Sequence, residues 1–264
     1  MMGAIIGDIV GSRLEWENIK SKDFELFTAD CAPTDDSIMT LAIAKAILEC
    51  NANVDMLGEE SVLWMQRIGR RYPACGYGGS FIRWIYSEDP QPYNSLGNGA
   101  AMRVSAVAWA ARTPDECVRM SRAVTEVSHN HPEGIKGAEA IAVATFMALH
   151  GGTKDEIKAK MAEYYDIDFA LDSIRDQYAF DVTCMGTVPP AIVAFLEATG
   201  YEDAIRNAIS IGGDSDTLAA CTGAIAEAYY GIPVLLREQA KMHMDKFLRL
   251  ILADFEKAFP PKLA

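Results

Sequence analysis

Apolar residues recur at spacings of three and four through most of the chain, and strict alternation is almost absent. Over residues 36–50, Ile38, Leu41, Ala42, Ala44, Ile47 and Leu48 follow a 3.6-residue period, which predicts an amphipathic helix. The same pattern predicts helices over 61–70, 98–112, 114–128, 132–150, 154–165, 189–198, 203–210, 214–230 and 241–259. Gly151-Gly152 and Gly200 mark helix ends, while Pro114, Pro132 and Pro189-Pro190 mark starts, where a missing N–H costs nothing. No linker, fixed-period repeat or low-complexity tract divides the chain, so one all-α domain spanning 1–264 is expected. Segments 218–226 and 140–149 are small or apolar almost all round, which predicts central, buried helices.

Composition changes this picture little. A chain of 264 residues, half of them hydrophobic, can bury a core without a disulfide or metal staple. Charge adds an exclusion: 24 Lys and Arg against 37 Asp and Glu leave a net −13, the wrong sign for displacing counterions from a nucleic-acid backbone. The start carries no basic stretch, and Asp8 breaks its apolar run, so no export signal is expected. No run approaches the roughly 20 apolar residues of a membrane span. A cytoplasmic protein with no membrane partner follows as an expectation. Six scattered cysteines match neither a zinc spacing nor a disulfide framework and read as reduced, packed thiols.

Two helix starts carry more chemistry than capping needs. Thr34-Asp35-Asp36-Ser37 and Gly212-Gly213-Asp214-Ser215-Asp216-Thr217 each precede a largely apolar helix. Capping uses one such side chain, and an acid in the first turn meets the helix dipole favourably. Each segment supplies two carboxylates and hydroxyls besides. Adjacent helical positions point about 100° apart, so Asp35 and Asp36 would address different ions rather than chelate one. If the two starts meet, four carboxylates and two threonine oxygens share a small volume that protonation or cations must neutralise. Oxygen donors select hard ions, favouring Mg²⁺ or Mn²⁺ over zinc, with Ca²⁺ also compatible. A pair of such ions can activate water and orient substrate oxygens.

Glycine-rich segments 76–80 and 97–103 read as turns, or as exposed N–H groups at the start of the Asn98 helix that hold a phosphate. Their spacing fits neither a Walker loop nor a dinucleotide fingerprint. Glu15 precedes Trp16, so its carboxylate is either desolvated and suited to acid–base work or an exposed helix-end residue. His129 and His131 make a poor metal pair and suit ligand contact or capping, while His150 and His243 read as helix-end or surface residues.

The order of these segments resembles the ADP-ribosylglycohydrolase family. The matching blocks are Gly7-Asp8-x-x-Gly11-x-x-x-Glu15, Thr34 to Ser37, Gly76 to Phe81, Gly97 to Arg103, Ser128-His129 with Gly134-x-x-Gly137-Ala138, and Gly213 to Thr217. The two acidic triads in this order are the specific part. The resemblance implies a compact, single-domain, orthogonal all-α bundle with a central binuclear Mg²⁺ or Mn²⁺ site. Carried over by position, Thr34, Asp35, Asp36, Asp214, Asp216 and Thr217 are the expected ligands, all of them present. Glu15 and Asp36 are the expected catalytic residues, and whether either or metal-activated water supplies the base stays open. Gly78, Gly79, Ser80, Gly97, Asn98, Gly99, Ala100, Met102 and His129 are the expected contacts to ADP-ribose. Ser128 stands where the family usually has Thr, which preserves the hydroxyl. The implied reaction is metal-dependent hydrolysis of the N- or O-glycosidic bond between ADP-ribose and a modified side chain. The implied partner is an ADP-ribosylated protein or an ADP-ribose-like small molecule. A non-catalytic ADP-ribose or nucleotide binding module, or a hydrolase of another ribosylated small molecule on the same fold, are the alternatives.

Overall fold

A computed structural model describes all residues 1–264. Fourteen α-helices form: α1 (Met2–Gly11), α2 (Asp35–Glu49), α3 (Val54–Arg71), α4 (Gly79–Tyr86), α5 (Ser105–Ala110), α6 (Pro114–Glu126), α7 (Pro132–Leu149), α8 (Lys154–Met161), α9 (Leu171–Ile174), α10 (Cys184–Glu197), α11 (Tyr201–Ile209), α12 (Ser215–Tyr230), α13 (Val234–His243) and α14 (Lys246–Ala258). No strand forms; Gly97 with Thr183 and Ile232 with Leu263 make two isolated bridges. The all-α expectation holds, and no helix is long and apolar enough to cross a membrane.

The centre of the molecule is α12, buried from Ser215 to Ala228 and packed by α1, α7, α10 and α11. Its small residues let α1 approach at backbone distance, and α1 answers with glycine every fourth position. A Cβ at Gly3, Gly7 or Gly11 would lie 2.3 Å from Gly223 O, 2.0 Å from Ala219 O and 2.5 Å from Asp216 Cα respectively. Side chains four apart share a helix face, so the three glycines form one flat stripe. This contact sets the fold around the acidic residues, because it brings Asp8 of α1 beside the start of α12. The periodicity reading does not predict α1, since all ten of its residues are buried and no polar face alternates with an apolar one.

Other boundaries differ for local reasons. The helix expected over 98–112 is a 3-10 turn at Asn98–Ala100 followed by α5, because the Asn98 N–H is drawn to Val182 O at 2.8 Å and its side chain to Asp214. The phosphate-holding helix start expected there is thus a single turn. The glycine-rich segment 76–80, read as a turn, runs into α4 at Gly79, with Phe81, Trp84 and Ile85 facing inward. Asp245 accepts from Leu248 N at 2.9 Å and starts α14, splitting the expected 241–259 helix in two. Pro189 and Pro190 do not open a helix; they sit inside α10, which Thr183 caps. Pro190 removes the donor that Gly186 O would have, and the Tyr178 hydroxyl supplies one at 3.0 Å.

Candidate functional site

At the start of α2, Thr34 is the N-cap, its Oγ1 accepting from Asp36 N at 3.4 Å. Asp8 reaches the same turn from α1. Its Oδ2 accepts from Thr34 N and Ser37 N, each at 3.0 Å, and from the Ser37 hydroxyl, while its Oδ1 accepts from Thr34 Oγ1 at 2.6 Å. One carboxylate thus holds the whole first turn of α2 from outside the helix. At the start of α12, Asp214 occupies the N-cap position but makes no side-chain cap; its Oδ2 accepts from Asn98 Nδ2 at 2.7 Å instead. The preceding turn needs left-handed backbone at Gly212 and Gly213, and a Cβ at Gly213 would lie 2.4 Å from Tyr178 Cε1. Asn18 fastens this turn to the Glu15 segment, accepting from Gly213 N at 2.6 Å and donating to Gly213 O at 2.9 Å and Leu14 O at 2.7 Å.

The two helix starts meet. Thr34 Oγ1 lies 3.4 Å from Asp216 Oδ2, and Thr217 Oγ1 donates to Asp36 Oδ2 at 3.3 Å. Carboxylate oxygens of Asp8, Asp36 and Asp216 converge within 4.8 Å of one another, and so do those of Glu15, Asp214 and Asp216, with Asp216 common to both groups. Asp36 Oδ1 is buried without any hydrogen-bond partner.

Crowding and burial oppose ionisation. Burial, with Asp214 beside it, pushes Glu15 up to about 7, and burial together with Asp8 pushes Asp35 up to about 8. Asp36 and Asp216 are raised well above the carboxylate range by burial and by neighbouring acids. Burial also lifts Asp8, to about 6, against the hydroxyls and N–H groups that favour its charge.

These groups border a cavity of about 610 Å³. Glu15, Asp35, Asp36, Asp214, Asp216 and Thr217 line it, together with Gly78, Gly79, Ser80, Gly97, Asn98, Gly99, Met102 and His129. Trp16 and Phe180 stack with ring centroids 5.1 Å apart and also line it.

The chain matches the ADP-ribosylglycohydrolase family over residues 1–258. It belongs to that family. Mouse (Mus musculus) ADP-ribosylhydrolase ARH3 is 25% identical, the match covering 88% of this chain and 83% of that protein. ADP-ribosylarginine hydrolase Tri1 of Pseudomonas putida (strain GB-1) is 24% identical over 88% of this chain and 70% of its own. A solved structure described as an ADP-ribosylglycohydrolase-related protein complex superposes with TM-score 0.65 at 23% identity, covering 92% of this chain and 97% of that one, which shows a shared fold. The family is one of hydrolases acting on ADP-ribosylated substrates.

Two of the residues expected in the site do not line the cavity. Ala100 is fully buried and does not line the cavity, because the 3-10 turn carries it into the core. Thr34 lies behind the wall, its hydroxyl proton given to Asp8. His131 caps α7 by accepting from Glu133 N at 3.1 Å, and the His243 ring stacks on Phe27. All six cysteines are free, and burial pushes the thiols of Cys75, Cys117 and Cys184 up to about 12. Asp8, Asn18, Arg103, Tyr93 and Phe180 carry the site without having been assigned to it from sequence. A lone acid inside an apolar run was the available signal for Asp8; Tyr93 and Phe180 lie in stretches without periodicity and had none.

Proposed function

We propose that the protein hydrolyses the bond joining ADP-ribose to a modified side chain, N- or O-linked, with two divalent cations, Mg²⁺ or Mn²⁺. The observation that carries this reading is the convergence of five acids of the cavity wall, Glu15, Asp35, Asp36, Asp214 and Asp216, with no lysine lining it. Capping uses Thr34 Oγ1 and none of these carboxylates, so helix starts alone do not account for them.

The donor set fits hard cations. Every donor is oxygen, Asp36 Oδ1 is buried without a partner, and two acidic groups share Asp216. Asp35, Asp36, Asp214, Asp216 and Thr217, with Thr34 from behind, are the residues that would hold the ions. Bound cations would supply the positive charge that lets these acids ionise, polarises water and binds ribose hydroxyls. Asp8 spends its oxygens on Thr34 and Ser37 and acts by positioning α2. Asn98 orients Asp214. Glu15, in the cavity wall with its carboxylate beside those of Asp214 and Asp216, is placed to pass a proton to or from water and the leaving group. Gly78, Gly79, Ser80, Gly97, Gly99, Met102 and His129 form the wall offered to ADP-ribose, and residues 1–264 act as one domain.

Peptides ADP-ribosylated on arginine or on serine, incubated with Mg²⁺ or Mn²⁺ and followed by released ADP-ribose, test the reading. Release by the wild type that drops at least about 10²-fold in Asp36→Ala and Asp216→Ala supports it. ADP-ribose binding without release from any linkage would instead establish a binding module.

A further inference from the structure

Arg103 is a fully buried guanidinium that no carboxylate accompanies, and it is the only lysine or arginine lining the cavity. Its Nη2 donates to Ser128 Oγ at 2.7 Å and to Val124 O at 3.3 Å, while Nε and Nη1 have no partner. Ser128 Oγ in turn lies 2.9 Å from His129 Nδ1. We propose that Arg103 and Ser128 form a relay that fixes the tautomer of His129, placing its proton on Nε2 and making the ring a hydrogen-bond donor to an anionic ligand oxygen at the Gly97 and Gly99 wall.

The direction of each bond follows from the groups. Guanidinium has donors and no acceptor, so Ser128 Oγ must accept from Arg103. Ser128 is completely buried, and its own hydrogen has one remaining acceptor, His129 Nδ1. The reverse arrangement, a proton on Nδ1, would leave the serine hydrogen buried and unpaired, which folded proteins avoid. Burial and the adjacent Arg103 charge both hold the ring neutral, so its single proton belongs on Nε2. Nε2 makes no hydrogen bond within the protein and faces two glycines: a Cβ at Gly97 or Gly99 would come 3.7 or 3.2 Å from it. Tyr93 packs edge-on against the ring at 5.5 Å and Phe81 at 6.2 Å, so its plane is held. Because every other charged group lining the cavity is acidic, the uncompensated guanidinium and this N–H mark where an anion is favoured. The ligand's identity as a diphosphate rests on the proposed function, whereas the tautomer does not. Ser128 and Arg103 are positioning residues that act through His129.

Long-range ¹H–¹⁵N NMR of the ligand-free, histidine-labelled protein reads the tautomer directly. The expected result is an Nε2-protonated neutral His129 in the wild type, a loss of that preference in Ser128→Ala, and its return in Ser128→Thr. ADP-ribose affinity, measured by calorimetry with Mg²⁺, should weaken about tenfold in Ser128→Ala, as for a lost hydrogen bond to a charged group, and recover in Ser128→Thr. An Nδ1-protonated or cationic ring in the wild type, or an unchanged tautomer in Ser128→Ala, overturns the relay. Absence of ADP-ribose binding by the wild type would overturn the functional reading, and the ligand-free tautomer would still decide the relay.

Discussion

Asp36 shows what a carboxylate does when its surroundings are chosen for something other than stability. One oxygen accepts from Thr217, the other is buried and unpartnered, and four further acids, Asp8, Asp35, Asp214 and Asp216, crowd it. Without cations such a group favours its protonated form, and this has a measurable sign. Asp35, raised to about 8, keeps a proton in the folded state that the unfolded chain releases near pH 4. Stability therefore falls as pH rises between those values and is lost no further above the folded pKa. In EDTA, Asp35→Asn should gain thermal stability relative to the wild type, by a margin that widens from about pH 5 to about pH 8. A pH-independent margin in a thermal melt would show that the crowding is not felt. Asp8 behaves differently, since four donors satisfy it. Asp8→Ala should destabilise by about 2–4 kcal/mol in urea titrations, because it leaves buried N–H and hydroxyl groups at the α2 start without an acceptor. Asp36 follows a capping threonine in the sequence and Asp8 stands alone in an apolar run, and only their partners separate a stabilising carboxylate from a costly one.

Among the elements, α1 and α12 decide the geometry because their backbones nearly touch. Gly7→Ala would drive a methyl into the Ala219 carbonyl, and Gly11→Ala would push on Asp216 itself. Each should cost about 2–3 kcal/mol or more, as overpacking does, and Gly11→Ala should also weaken Mg²⁺ affinity. Gly78→Ala, with nothing within 4 Å, should stay within about 0.5 kcal/mol of the wild type in the same denaturation series. Tyr178→Phe should cost about 1 kcal/mol by taking the replacement donor from Gly186 O inside α10. Helices with one apolar face, such as α6 or α14, were legible from their period. The buried helix α1 was not, nor was the first turn of α10 ahead of its prolines, since their signal lies in neighbours remote in sequence.

For the whole molecule, the acidic excess divides into two populations. Glu15, Asp35, Asp36, Asp214 and Asp216 line one cavity, and Asp8 lies beside them; the remaining acids still outnumber the 24 Lys and Arg. A cation that binds only the folded form stabilises it in proportion to the logarithm of its concentration, about 2.7 kcal/mol at a hundred times Kd. Mg²⁺ should therefore raise the melting temperature of the wild type and leave that of Asp36→Asn nearly unchanged, as read by differential scanning fluorimetry against EDTA. Equal shifts in both proteins would place the cation elsewhere. By itself the sequence determined the helical class, the buried centre at 218–226 and the two acidic helix starts. Helical period and residue type are local properties, readable one turn at a time. Tertiary structure alone decided that the two starts meet, that Asp8 holds one of them, and that Arg103, Ser128 and His129 form a chain. Those outcomes depend on how closely α1 approaches α12 and on which buried donor finds which acceptor, and both are set by contacts between segments far apart in sequence.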